Sequence, residues 1–200
     1  MKKIIALLSS LIILVSFSFA REGKINLSVS YAHEFYNIAG TKNNSETTYS
    51  NGLRLHIANE SFIGMNAILQ ASLPYSTTCE YNHNEMGKPK APQPYKVSLI
   101  AGPVLNLPIN SFIKVYASIG LKGSLEIVNT TTTKERRKDM MVGLGIGGNM
   151  GLKLFSDKKI NMILGTDIYY DFYRTGTMIP SYIPTVSVGY SPYIGVGFTL

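Results

Sequence analysis

The residues able to do chemistry are few and scattered. The 200-residue chain has three histidines (His33, His56 and His83), one cysteine (Cys79) and no tryptophan. Acyl transfer or hydrolysis needs a His base beside a Ser, with an acidic group to orient the ring. His83 stands among Glu80, Glu85, Asn82 and Asn84, but the three histidines have no metal-ligand spacing. Gly143-Leu-Gly145-Ile-Gly147-Gly148 matches G-x-G-x-x-G. A dinucleotide site needs a strand before that motif and a helix after it. Here the glycines continue an every-second-residue pattern through Gly151, and Lys153–Ile160 reads as a turn. Small side chains on one face of a strand explain them better. No catalytic residue, cofactor or metal site is therefore expected. A single Cys excludes an internal disulfide framework. A formal charge of +7 is too mild to imply nucleic acid.

What positions these residues is set first by an exported, apolar chain. Charged residues make up 16% and the hydrophobic set 45%; soluble domains carry roughly 25% charge. Lys2 and Lys3, an apolar run from Ile4 to Phe19, and Ser18-Phe19-Ala20 before Arg21-Glu22 have the layout of a signal peptide over 1–20. Its removal would leave 21–200 as one domain, with 17 cations against 12 anions, or +5.

The dominant signal in 21–200 has period 2. Val186, Val188, Tyr190, Pro192, Ile194, Val196, Phe198 and Leu200 share one parity, while the other holds Ser, Gly, Thr and Tyr. Ile113, Val115, Ala117, Ile119, Leu121, Leu125 and Ile127 alternate in the same way with Lys114, Tyr116, Ser118, Lys122, Ser124 and Glu126. Such alternation marks strands with two unlike faces. Eight segments are expected, at 24–35, 49–58, 62–75, 95–105, 112–127, 140–154, 160–173 and 185–200. The connections then alternate: 36–48, 76–94, 128–139 and 174–184 are long, and 59–61, 106–111 and 155–159 short. All long loops leave one end of an up-and-down meander.

A soluble barrel would put the apolar parity inside and a charged parity outside. Here the second parity is mostly Gly, Ser, Ala and Asn, which suits a cramped lumen. The Ile/Leu/Val parity suits hydrocarbon, where every backbone polar group must be paired by closure. Tyr31, Phe35, Tyr49, Tyr75, Tyr95, Tyr170, Phe172 and Tyr182 gather toward the long-loop end as an interfacial girdle. The opposite girdle is weak, with Phe198 its best member. Pro103 and Pro192 lack an N–H and are expected at bulges or strand ends. The expected fold class is all-β: an eight-stranded antiparallel up-and-down transmembrane β-barrel.

On strand number, loop asymmetry and parity the chain resembles the small bacterial outer-membrane β-barrels of the OmpA/OmpX type. The resemblance spans 21–200 and leaves no residues for a periplasmic peptidoglycan-binding domain. The ending Tyr193-Ile-Gly195-Val-Gly-Phe198-Thr-Leu200 is similar to the signal such proteins present to barrel-assembly machinery, with Leu where Phe is commonest. The resemblance implies a bacterial outer-membrane location and outer-membrane lipids, lipopolysaccharide included, as neighbours.

Parity then places the charges. Glu34, Arg54, Lys96, Lys122, Glu126, Asp167 and Asp171 point inward, with His56, Lys114 and Lys153, and must pair or hydrate. They are expected to form a structural lumen network rather than a wide pore or an active site. His33 faces lipid, and no His-x-Ser pairing accompanies it on that parity. Lys134, Arg136, Arg137 and Lys138 form a basic run in loop 128–139, suited to an anionic surface. The expected role is a non-enzymatic surface protein whose loops serve envelope stabilisation, adhesion or host contact. The alternatives are a lipid-modifying enzyme of the lipid A deacylase or acyltransferase kind, and a narrow channel for small solutes.

Overall fold

A computed structural model describes residues 23–39, 45–80, 95–131, 136–176 and 186–200. The signal peptide, Tyr182, His83 and Lys134 lie outside the described residues. Eight strands follow in order: β1 (Ile25–Ala39), β2 (Ser45–Asn59), β3 (Ile63–Glu80), β4 (Tyr95–Pro108), β5 (Ile113–Thr131), β6 (Arg136–Leu154), β7 (Ile160–Gly176) and β8 (Val186–Thr199). Each pairs antiparallel with its sequence neighbours, and β8 returns to β1, closing the barrel. Closure is completed where the termini meet: Ile25 N–H donates to Leu200 O, and Leu200 N–H to Ile25 O at 2.8 Å.

The period-2 pattern sorts the side chains as hydrocarbon requires. Ile119 is 63% exposed and Val188 54%, on the outside, while Arg54 is 0% exposed on the inside. Most buried residues are polar or charged, and the exposed large hydrophobic residues are Leu, Ile, Val, Phe and Tyr with Met150. That is the inverse of a water-soluble core.

The strands run further than the sequence pattern suggests. Val128↔Asp139 through Thr131↔Arg136 remain paired, as do Asn37↔Thr47 through Ala39↔Ser45. The connections contract to 40–44, 81–94, 132–135 and 177–185 at one end, against 60–62, 109–112 and 155–159 at the other. The expected alternation of long and short loops thus fails between β5 and β6, whose connection matches that between β4 and β5. The asymmetry lies in the strands instead, because backbone ladders need no apolar parity once clear of lipid.

Two irregularities re-aim side chains. The β2–β3 register shifts between Tyr49 and Ser50, and the β6–β7 register between Leu144 and Gly145. At the second, Tyr173 pairs with Leu144 and Asp171 with Gly145. Phe172 and Tyr173 both face outward, and Arg174 turns in. Pro103 and Pro192 occupy neither bulges nor strand ends. The β4–β5 ladder skips from Ala101↔Leu121 to Val104↔Ser118, and the β1–β8 ladder from Ala32↔Tyr193 to Phe35↔Tyr190, both without a change of register. Each proline interrupts one ladder only. Beside Pro103, Gly102 faces Gly120 so closely that a Cβ would lie 2.6 Å from the Gly120 Cα.

Both rims carry aromatic side chains. Phe35 packs on Tyr49 at 5.3 Å and on Tyr190 at 5.1 Å, and Tyr49 lies 6.3 Å from Tyr75. The opposite girdle is stronger than expected. Phe62, Phe112 and Phe155 are exposed on its turns, and Phe112 meets Phe155 edge-to-face at 4.4 Å. Phe155 lies between the expected segments, while Phe62 and Phe112 open theirs on the inward parity although the strands begin one residue later, so parity does not reveal them. Phe155 has φ of 58°, a left-handed conformation disfavoured for an aromatic residue.

Candidate functional site: a charged lumen beneath an outer rim

The lumen is filled in tiers, each built from strands distant in sequence. Toward the long-strand end, Lys96 Nζ donates to Glu34 Oε1 at 2.6 Å and to Tyr169 Oη at 3.0 Å. Tyr169 also donates to Glu34, and the Lys96 ammonium sits 3.6 Å from the Tyr36 ring centre. Beside them Lys122 Nζ reaches both Asp171 oxygens, at 2.6 and 2.8 Å, and Ser187 Oγ donates to the same carboxylate at 3.0 Å. Arg174 closes this tier on Glu126.

The middle tier is a fork. Arg54 Nε and Nη2 donate to the two Asp167 oxygens at 2.7 and 3.0 Å, the planar geometry a guanidinium favours. Asn149 donates to Asp167 at 2.6 Å and to Tyr193 Oη at 2.8 Å. The Tyr193 ring lies 3.8 Å from the guanidinium and its hydroxyl 2.8 Å from that of Tyr116. His56 is buried here against Asn66.

At the short-turn mouth, Glu60 holds two lysines. Lys153 Nζ donates to Oε1 at 2.7 Å, and Lys114 to Oε2. Burial alone raises the Glu60 carboxyl, but the two ammonium partners outweigh it and hold it below its ordinary 4.5.

All nine charges that parity points inward lie in the lumen and take part in ion pairs, Lys114 half-buried and the other eight buried. Two members escape sequence reasoning. Arg174 falls where a loop is expected and enters only through the bulge, whose sequence signal is the adjacent pair Phe172-Tyr173. Glu60 sits in a turn, where parity has no meaning. Among the described residues the lumen pairs six cations (Arg54, Lys96, Lys114, Lys122, Lys153, Arg174) with five anions (Glu34, Glu60, Glu126, Asp167, Asp171). Such an arrangement ties together strands distant in sequence, and its carboxylates are engaged by cations.

The remaining candidates stay apart. Arg136, Arg137 and Lys138 belong to β6, paired with Thr131, Thr130 and Asn129, and not to a loop. Cys79 is in β3, opposite Glu46. Gly143–Gly148 lies inside β6, which continues as strand to Leu154, so no helix N-terminus follows the glycines. No group of His, Cys, Asp and Glu able to hold a metal occurs among the described residues. His33 faces outward and bonds Asn51 and Tyr75, not a serine.

A closed eight-stranded cylinder, apolar outside and ion-paired within, defines a transmembrane β-barrel of the small outer-membrane kind. Solved structures share that fold. Neisserial surface protein A superposes with a TM-score of 0.63 at 13% identity, covering 90% of this chain and 100% of its own. Ail, the attachment invasion locus protein of Yersinia pestis, gives 0.52 at 15% identity, covering 90% and 99%. The outer membrane protein OprG from Pseudomonas aeruginosa gives 0.55 at 11% identity, covering 89% and 96%. At these identities the likeness is one of fold. No family model and no curated protein matches the chain.

Proposed function

We propose that this protein is a non-enzymatic integral protein of a bacterial outer membrane that displays its long-strand end for surface contact or envelope stabilisation. Residues 1–20 direct its export, and the C-terminal strand presents the signal for barrel assembly. One observation carries the reading: at one end only, hairpins such as β5–β6 extend beyond the apolar belt as polar, paired ribbon. That extension adds nothing to membrane spanning, so it serves whatever lies outside. Arg136, Arg137 and Lys138 near its tip, with Lys134 beyond, give that ribbon a basic character suited to lipopolysaccharide phosphates or an acidic host glycan. Fold likeness to an attachment protein agrees with this reading without carrying it.

The test is a pair of trimmed chains. Replacing 81–94 by a short Gly/Ser turn, or Lys134, Arg136, Arg137 and Lys138 by Gln, should leave a heat-shifted, β-rich barrel in the outer membrane while reducing attachment of cells to acidic glycan surfaces. Attachment unchanged by both, together with a lipid A structure altered by the protein's presence, would favour a lipid-modifying enzyme instead. Substitution of His33, His56 and His83 would then locate the activity. Stable conductance of porin size in planar bilayers would refute a lumen without a wide pore.

A further inference from the structure

The outer face of the β1–β2 pair reads like a section through half a bilayer. Its lipid-facing cross-strand pairs run Leu27/Ile57, Val29/Leu55, Tyr31/Leu53, His33/Asn51, Phe35/Tyr49 and Asn37/Thr47. Below His33/Asn51 the pairs are apolar apart from the Tyr31 hydroxyl. Phe35/Tyr49 belongs to the aromatic girdle, and Asn37 bonds Thr47 at 2.9 Å beyond it. The polar His33/Asn51 pair thus lies at the inner edge of the girdle, between the Tyr31 hydroxyl and the Phe35/Tyr49 pair. One pair is two residues along a tilted strand, or about 5 Å of depth. Aromatic belts sit at headgroup level, so this pair lies at the level of the acyl linkages.

The pair is also oriented. Asn51 Oδ1 accepts from Tyr31 Oη at 2.7 Å and meets His33 Nδ1 at 3.0 Å. An amide oxygen only accepts, so His33 carries its proton on Nδ1, and Nε2 accepts from Tyr75 Oη at 3.4 Å. One hydroxyl and an imidazole therefore spend the amide oxygen and fix the amide plane, and the Tyr75 hydroxyl holds the imidazole in turn. The Asn51 Nδ2 group keeps both N–H donors, on an exposed side chain, with no acceptor among the described residues. A polar donor facing lipid is costly unless something there accepts it. At this depth the abundant acceptor is the acyl carbonyl, not phosphate, and no lysine or arginine shares these cross-strand pairs to favour an anion.

We propose that Asn51, held by Tyr31, His33 and Tyr75, is a lipid-binding site that donates to an acyl carbonyl of an outer-leaflet lipid. The site fixes the depth and rotation of the barrel through one lipid linkage on one side. This rests on the outer-membrane reading above, and the test separates the two.

The full mature barrel is reconstituted in two phospholipid bilayers with the same headgroup and chains, one diester and one diether, the latter lacking carbonyls. Urea unfolding is measured in each for the native chain and for His33→Phe/Asn51→Leu. The native chain should lose about threefold or more in its folding equilibrium on moving from ester to ether lipid, the scale of a hydrogen bond, and the double variant should lose less. In diester bilayers labelled at the carbonyl carbon, solid-state NMR should show transfer from the Asn51 side-chain amide to that carbon. An equal ester-to-ether effect on both chains, or transfer from that amide to water alone, overturns the proposal while leaving a folded barrel. Failure of the native chain to insert in either bilayer would instead remove the reading on which it rests.

Discussion

Asp167→Asn tests what holds the barrel's middle. The substitution keeps the shape of the side chain and its contact with Asn149, and removes only the charge facing Arg54. That guanidinium is 0% exposed and forked onto Asp167. The other charges near the fork belong to separate pairs, so no second carboxylate stands ready to replace Asp167. Breaking one side of a buried pair costs about 3–5 kcal/mol, because the surviving charge stays desolvated. At 1.36 kcal/mol per decade this is roughly two to nearly four orders of magnitude in the folding equilibrium. Replacing both partners, as Arg54→Met/Asp167→Leu, removes the stranded charge and should fall within about 2 kcal/mol of the native chain. The assay is urea unfolding from lipid vesicles, read by the loss of the folded band on unboiled gels, with the two single variants completing a cycle. A cost below about 1 kcal/mol for Asp167→Asn would refute the argument. It would mean that the lumen solvates Arg54 as water does, and that the tiers are occupants rather than struts.

Three further outcomes follow from the same geometry. A methyl group on Gly189 would overlap the Tyr169 ring, which Glu34 and Lys96 hold in place; Gly189→Ala should destabilise the barrel by about 1–3 kcal/mol in urea unfolding, whereas no loss would show that the ring moves freely. Glu60 is held below 4.5 by Lys114 and Lys153, so its contribution is complete above the unfolded value and is lost as pH falls through the folded one. Unfolding of the native chain should therefore become easier in acid below that value, and Glu60→Gln should flatten this part of the pH profile; parallel profiles for the two chains would contradict the assignment. Deleting Phe172 removes the extra residue at the bulge and leaves Asp171, Tyr173 and Arg174 opposite Gly145, Leu144 and Gly143 in regular alternation, so a cysteine replacing Arg174 should stay shielded from water-soluble maleimide in both the native chain and the deletion variant, and labelling that rises on deletion would contradict the bulge.

Strand number and facing are legible because lipid enforces a rule on every second residue, and Leu53, Leu55, Ile57, Ile194 and Val196 all obey it. The rule stops where lipid stops. Ser45–Thr48 and Arg136–Asp139 have no apolar face yet remain in ladders, so hydropathy cannot show where those strands end. Parity also assumes an unbroken count. It places Glu34, Arg54, Lys96 and Asp167 inside correctly, then loses Arg174 one residue past a bulge that shifts the count. Turns carry no parity, which hides both Glu60 and the Phe112–Phe155 contact. The proline expectation errs for a different reason: each strand in a cylinder has two neighbours, so a missing donor can be absorbed on one side while the other stays in step.

The ion pairs also constrain how such a molecule is made. They join β1 to β4, β2 to β7 and β5 to β7, strands that are not neighbours in the cylinder. Until β8 meets β1 there is no interior, and an unrolled sheet would carry Arg54 into oil without its counterion, at about 2–4 kcal/mol near the midplane, and Lys96 and Lys122 at a smaller cost toward the long-strand end. Entry of the charged strands one at a time is therefore uphill, and rolling up must accompany entry. The contact that closes the cylinder, β8 against β1, is the one that makes the whole passage downhill.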